Sequence, residues 1–471
     1  MTTRIDNVAI NHDVTEYYRY GMFSHKWENN EPLFEQVIRM VVYELEESPT
    51  HDKLKMFCQI VQDAGLQWAW SDTCCINKAD HFVREEALVA MFKWYQGSAL
   101  TVVFLFDVLS PSQRGDLMRS IWNSRAWTFQ EYHASKVVRF YTKDWKLYMN
   151  LDIPNHKESP EIISEMEEVM GVSAKALMAL RPGLNDIREK LCLASTRRTT
   201  LVEDAAYSLL GIFSMSLPVV YGEGDQALGR LLAQLLTSSG DTGILAWTGR
   251  SGSFNSCLPT NIIVFKQLPL SHIPPVIAST EMDKIIAKLR ASSLNLTLVM
   301  RLHDQLDEFP VASFSGQRMK LPCLTFKLGA VTAIWNAEGY VFRAQTNVLG
   351  IVEIRTEEDL SRFSRLYLVH PWIDFLLDRQ PASGDLTATR RKDTGSLPPP
   401  SSVSLKHKLI RAFQMIARLS QPFGALLLAK KTGVAAYRRV AAETLITVKL
   451  EVITPAVLNK LVSSVRVLEV L

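Results

Sequence analysis

The apolar positions of the first 150 residues switch between two periods. Tyr20–Phe23 is a short, largely apolar run that predicts a strand. Leu33, Phe34, Val37, Ile38, Val41, Val42 and Leu45 then recur at helical spacing. That spacing predicts an amphipathic helix with one buried stripe. A second helix is predicted across Leu54, Phe57, Ile60, Val61 and Ala64. It ends at Gly65, where glycine tolerates the left-handed backbone that closes a helix. Gln67–Trp70 predicts a short strand, and Ala87, Leu88, Met91, Phe92 and Tyr95 mark a third helix. Leu100–Phe106 reads as a strand apolar on both faces, and Val137–Tyr141 as another strand. Strands that alternate with helices and lack a polar face predict a parallel sheet covered on both sides. Such sheets bind ligands beyond the carboxyl ends of their strands. Here that rule collects Ser24 and His25, then Asp72–Cys75, then Asp107 at one edge.

Further along, Ile162–Met170, Ala174–Leu180 and Ala205–Phe213 read as helices. From about Trp247 the pattern changes to short β-branched and aromatic runs separated by turn residues. These are Asn261–Phe265, Leu294–Val299, Leu324–Leu328, Tyr340–Arg343, Gly350–Ile354 and Leu366–Val369, and they predict a mostly antiparallel β domain. Pro381–Ser404, rich in Pro, Ser, Thr and Gly, reads as a flexible loop or linker. Beyond it lie one helix, Leu405–Leu419, and strands at Leu445–Leu450 and Val465–Leu471, the last returning to the β domain. The expected organisation is an α/β sheet domain over residues 1–150 and a helical extension over 151–245. A β-rich domain over 246–380 and a linker over 381–404 follow, and a basic helix with strands over 405–471 completes the β-rich domain.

Charge adds an asymmetry. Lys+Arg 52 against Asp+Glu 49 leaves +3, too near zero to point to nucleic acid by bulk charge. Residues 381–471 nevertheless carry 14 basic and 5 acidic side chains, whereas the first 380 residues carry 38 and 44. The basic part includes Arg390, Arg391, Lys392, Lys406, Lys408, Arg411, Arg418, Lys430, Lys431, Arg438 and Arg439. It is either a solvated face or a contact for an anionic surface. No charged segment followed by an apolar one stands near Met1, and the longest apolar run, Phe423–Ala429, is too short to span a membrane. Six cysteines are sparse, and Cys74 and Cys75 are adjacent, a poor arrangement for two bridges. The expectation is a soluble, cytoplasmic protein.

The candidate chemistry sits at the sheet edge. Ser24 and His25 follow a strand directly, so they are either polar ligand contacts or acid–base groups, or else a cap and a partner for a buried carbonyl. Asp72 could orient a partner or contact a ribose hydroxyl. Cys74 is either a thiolate nucleophile paired with His25 or a small buried packer. Cys58, Cys74, Cys75 and His81 lack zinc spacing, so no metal site is expected. Arg125 beside Trp127 could grip a phosphate or carboxylate, or the ring could fill core while the arginine pairs with an acid.

Five strings carry a resemblance: FSHKW at Phe23–Trp27, WAWSDTCCINK at Trp68–Lys78, MFKWY at Met91–Tyr95, SRAWTFQE at Ser124–Glu131, and RRTTLVEDAAYSLLGIFSMSLPVVYGEG at Arg197–Gly224. In this order and spacing the chain resembles the fungal heterokaryon-incompatibility (HET) domain. The resemblance implies a divergent relative of the Toll/interleukin-1-receptor-like fold and a role in nonself recognition and regulated cell death, with protein partners or self-association. By likeness to Toll-like enzymes it also implies an acidic residue, here Glu86 or Glu85, that could cleave NAD as a substrate. The chain departs from the family pattern at Glu28, Val83 and Ala126. The alternative to signalling or catalysis is an interaction scaffold.

Overall fold

The computed structural model describes residues 16–170, 180–266, 284, 286–287, 294–336, 339–346, 348–363, 365–372, 402–431, 433–450 and 452–471. The chain divides into two compact units, Met1–Leu231 and Leu232–Leu471.

In the first unit, β1 (Tyr20–His25), β2 (Trp68–Trp70), β3 (Leu100–Leu105) and β4 (Val138–Thr142) form one sheet in the order β2-β1-β3-β4. Every pairing is parallel, with Met22 opposite both Trp70 and Thr101. The crossovers are α1 (Pro49–Asp63), α2 (His81–Gly97) and α3 (Ala126–Ala134). Their ends follow from local chemistry. The Ser48 hydroxyl accepts from the His51 N–H, and Pro49, which has no N–H to satisfy, opens α1. Gly65 closes it at φ +73°. Asp80 accepts from the Phe82 and Val83 N–H groups at 3.0 and 3.2 Å and opens α2. All six residues of β3 are buried. Its alternate side chains feed two cores, Val102 and Phe104 with Phe23, Leu54 and Phe57, and Val103 and Leu105 with Trp122, Phe140 and Tyr148. Both faces are therefore covered, as the apolar pattern predicts.

Two expectations fail here. The helix over Leu33–Leu45 exists only as one turn, Phe34–Val37, and a 3-10 turn, Val42–Glu44. Leu33 offers no side-chain cap, and Val37, Ile38, Val41 and Val42 are β-branched residues that lose side-chain freedom in a helix. Ile38 and Val41 are exposed, and of the stripe only Leu45 is buried. The segment Ala205–Phe213 is helical only over Asp204–Tyr207 and then turns. Its Leu209, Leu210, Ile212 and Phe213 are all buried, so the segment has no polar face to set on solvent. The helix α4 (Pro160–Met170) is as expected, while residues 174–179 lie outside the described residues. The helices α5 (Ile187–Ala194) and α6 (Gln226–Ser239) follow.

In the second unit the expected strand at Leu294–Val299 is instead the start of α7 (Leu296–Asp307). Asn295 accepts from the Thr297 and Leu298 N–H groups, and Val299, Leu302 and Leu306 bury a helical stripe. Asn261–Phe265 is likewise no strand but leads into a 3-10 turn, Ile262–Lys266, with the Asn261 side chain accepting from the Ile263 N–H. The remaining β reading holds. The strands are β5 (Ser313–Ser315), β6 (Arg318–Lys327), β7 (Val331–Asn336), β8 (Gly339–Thr346), β9 (Gly350–Arg355) and β10 (Leu366–Pro371). After α8 (Ser402–Leu419) come β11 (Phe423–Lys430), β12 (Tyr437–Arg439), β13 (Ile446–Val448), α9 (Pro455–Ser464) and β14 (Val465–Val470). One sheet runs β10-β11-β12-β14-β6-β5, and β10 also pairs with β6, so five strands close a circuit of pairing. The strands β7, β8 and β9 form a separate meander. As expected, β14 returns to the β unit, pairing antiparallel with β6 from Val465 opposite Leu324 to Val470 opposite Met319. The expected linker falls, except for Ser402–Ser404, outside the described residues. No helix among the described residues is long and apolar enough to cross a membrane.

Candidate functional site

The chain passes from β1 out to β2 on one side and returns to β3 on the other. The carboxyl end of β1 is thus a topological switch point, where open parallel sheets leave a crevice. Ser24 and His25 end that strand and are both buried. Alternation along β1 turns them to opposite faces.

On the α1 face, His25 stacks on Phe23 at 4.2 Å, and Phe23 stacks on Phe57 at 4.4 Å. The His25 Nε2 lies 3.8 Å from Glu31 Oε1, yet neither ring nitrogen has a hydrogen-bond partner. Burial, then the charges of Lys53, Arg125 and Lys78, hold this imidazole well below its ordinary pKa, so it is neutral at pH 7. Glu31 accepts from the Glu28 N–H at 2.8 Å and from the Lys53 ammonium, which also reaches Glu28 at 3.0 Å.

On the opposite face the Ser24 hydroxyl donates to Glu131 Oε2 and accepts from the Trp122 indole N–H at 2.8 Å. Asp107, after β3, does not join this group directly. Its carboxylate accepts from the Ser120 hydroxyl and the Ile121 N–H, both at 2.7 Å, and so fixes the turn that presents Trp122. Glu131 is buried in α3, and its carboxyl is pushed up to about 7, first by burial and then by the charge of Asp72. The Ser24 hydrogen bond, Arg125 and Arg197 oppose the rise.

Asp72, after β2, accepts from the Trp27 indole N–H at 2.7 Å through Oδ2, while its enclosed Oδ1 has no partner. Burial raises its pKa to about 6 against the Trp27 hydrogen bond and the charges of Lys78 and Arg125. The Lys78 ammonium stands 3.6 Å from the Trp27 ring centroid. Asp72 is within electrostatic reach of both Glu131 and Glu31. Two carboxyls that titrate near neutrality, a hydroxyl and an unpaired carboxylate oxygen can hold or pass a proton and can accept hydrogen bonds from a ligand.

The sequence-selected residues divide accordingly. Ser24, His25 and Asp72 gather at the switch point, and Arg125 reaches it through its charge. Trp127 instead hydrogen-bonds Asp204, which also accepts from the Tyr221 hydroxyl at 2.9 Å. Cys74 is buried in the core beside Phe57 and Phe104, its thiol pushed up by its hydrogen bond to Cys75 and by burial. Glu85 lies one turn into α2 and pairs with exposed His81 at 3.1 Å, and Glu86 is exposed. Glu203 accepts from the Gly222 and Gly224 N–H groups at 2.8 and 2.9 Å, which ties down that turn.

Residues 20–113 match the model of the heterokaryon incompatibility protein (HET) family. The chain carries a HET domain. The vegetative incompatibility protein HET-E-1 of Podospora anserina is 31% identical to it over 190 residues, which is 38% of this chain and 13% of that protein. The chain thus matches only a small part of the relative's length. No solved structure matches. The matched HET residues include β1, α1, β2, α2 and β3 with Ser24, His25 and Asp72, but end before Trp122, Arg125 and Glu131. Glu131 is the member that reading the sequence missed. The sequence offered one signal for its burial, though not for its role: within AWTFQEYHA it is the lone carboxylate, with no lysine or arginine in the helix to pair it.

Proposed function

We propose that the chain acts in fungal vegetative incompatibility, as a cytoplasmic component of a nonself response that ends in cell death. The observation that carries this reading is the HET-domain match together with the likeness to a vegetative incompatibility protein. The parallel order β2-β1-β3-β4 supports a Toll-like relationship for the sheet, and signalling through protein partners or self-association follows from that reading. The carboxyl–hydroxyl group at the switch point is its working part. Controlled expression in a filamentous fungus tests this. Wild type should arrest growth and kill cells, and Asp72→Asn should relieve the effect at equal protein level. A host indifferent to high expression of the wild type would leave the scaffold reading in its place.

A second reading, cleavage of the glycosidic bond of NAD, is favoured by one observation. Glu131 is a carboxyl tuned near neutral pH and hydrogen-bonded to Ser24 at the sheet's ligand edge, as a general acid requires. Nicotinamide release by the purified protein, lost in Glu131→Gln and retained in Glu85→Ala/Glu86→Ala, is its expected signature.

A further inference from the structure

The second unit contains a cleft of about 960 Å³, within the size range of small-molecule sites. Its wall carries Arg318, Arg362, Lys430, Lys431 and Arg438, and no acidic side chain lines it. The three arginines are each paired with an acid that does not itself line the cleft. Arg318 meets Glu469 at 2.6 Å, Arg362 meets Asp359 at 3.3 Å, and Arg438 makes a two-pronged contact with Glu358. Lys430 and Lys431 have no acidic side-chain partner among the described residues, so the side chains that line the cleft leave a positive surplus, which draws anions.

The lining also carries aromatic rings and hydroxyls. Phe254 lies in the Ser251–Ser256 loop with its ring centroid 5.9 Å from that of Phe314. Phe363 has the Arg438 guanidinium 4.9 Å from its centroid. The loop is held in shape from within. The Ser251 hydroxyl donates to the Ser256 carbonyl, and the Gly252 N–H donates to the Leu258 carbonyl at 2.7 Å. Buried Asn255 donates to the carbonyls of Gln317 and Val470 at 2.7 and 2.9 Å. The Ser256 N–H is taken by the Leu471 carbonyl, so the loop offers side chains rather than that amide. A pocket lined both by two ammoniums with no acidic side-chain partner and by the rings of Phe254 and Phe363 fits a ligand that joins phosphates to a flat ring.

We propose that this cleft binds a nucleoside 5′-polyphosphate, with its phosphates on Lys430, Lys431 and Arg362 and its base against Phe254. The site is separate from the switch-point group of the HET domain and stands whether or not that group works as proposed.

Calorimetric titration of the full chain with ATP, inorganic pyrophosphate and adenosine tests it. ATP should bind saturably, at least about tenfold tighter than either fragment, and more weakly at high salt. Lys430→Glu/Lys431→Glu should weaken ATP by about tenfold or more at an unchanged melting temperature. Phe254→Ala should weaken ATP while leaving pyrophosphate as it was. If the double variant melts early, Lys431→Glu alone, at an exposed position, should still weaken ATP. Absence of saturable ATP binding overturns the proposal. So does pyrophosphate binding as tightly as ATP, which would reduce the cleft to a phosphate site, or ATP binding that survives the lysine substitutions.

Discussion

At the scale of single residues, the carboxyl of Glu131 has the largest consequence. It is buried beside Ser24 and Trp122 and titrates at about 7 rather than at the usual 4.5. A folded-state pKa above the unfolded one means that the native protein binds the extra proton. Stability is then greatest below the unfolded pKa and falls as pH rises through the window from about 4.5 to about 7. Glu131→Gln keeps an oxygen for the Ser24 hydroxyl but carries no charge. Denaturant unfolding should therefore show the variant gaining on wild type as pH rises from 4 to 8, by on the order of 3 kcal/mol. A constant difference across that range would place the charged form of Glu131 in a solvated setting. Asp72 behaves in the same direction at a lower pH, because the Trp27 indole offsets part of its burial. His25 contributes no charge near neutrality, since burial and three neighbouring cations keep it unprotonated.

At the scale of elements, the fifth motif block is fastened to the sheet domain by backbone as much as by side chains. The Arg198 N–H donates to the Ser124 carbonyl at 2.6 Å, and the Ala126 N–H donates to the Arg198 carbonyl at 3.0 Å. These bonds stitch the block to the start of α3, the helix that carries Glu131. Arg197 adds hydrogen bonds to the Arg125 carbonyl, the Thr128 hydroxyl and Asn123. The turn after Tyr207 presses on α2 at Gly211, where a side-chain carbon would come within 2.1 Å of Phe92 Cβ. Gly211→Ala should cost about 1–3 kcal/mol in denaturant unfolding, because either α2 or the turn must move. An unchanged midpoint would mean that this contact yields freely. The helical stripe over Leu33–Leu45 fails for a related reason. Periodicity makes a helix only where a surface waits for it, and of this stripe only Leu45 is fully buried.

At the scale of the whole molecule, the near-neutral net charge conceals how the basic surplus is used. Arg439, one of the tail cations, is buried. It donates to the carbonyls of Leu245 and Trp247 and lies 3.7 Å from the Trp247 ring centroid. Lys408 pairs with Asp304 at 2.8 Å. Lys430, Lys431 and Arg438 line the cleft instead. Glu358 balances Arg438 and also accepts from the Ala441 N–H. Glu358→Gln should cost about 1 kcal/mol or less, as for a pair with solvent access, and should tighten ATP severalfold by releasing one positive charge into the cleft. Unchanged affinity would show that Arg438 does not contribute to the cleft's field.

The sequence by itself determined the alternation of strands and helices in the first unit, the apolar character of β3, and the convergence of Ser24, His25 and Asp72 at one edge. Period and chain direction are local properties, and the carboxyl ends of parallel strands must share a side. It also determined the return of β14 to the β unit. Tertiary structure alone decided the rest. Ser24 meets Glu131 across 107 positions of sequence, so no local pattern could turn that glutamate into a proton-holding group. Leu294–Val299 reads as a strand until Asn295 caps it and a core stands along its helical stripe. Glu85 and Glu86, selected through resemblance, lie on the solvent side of α2, and helix orientation is set by packing against the sheet, which a short window of sequence does not contain.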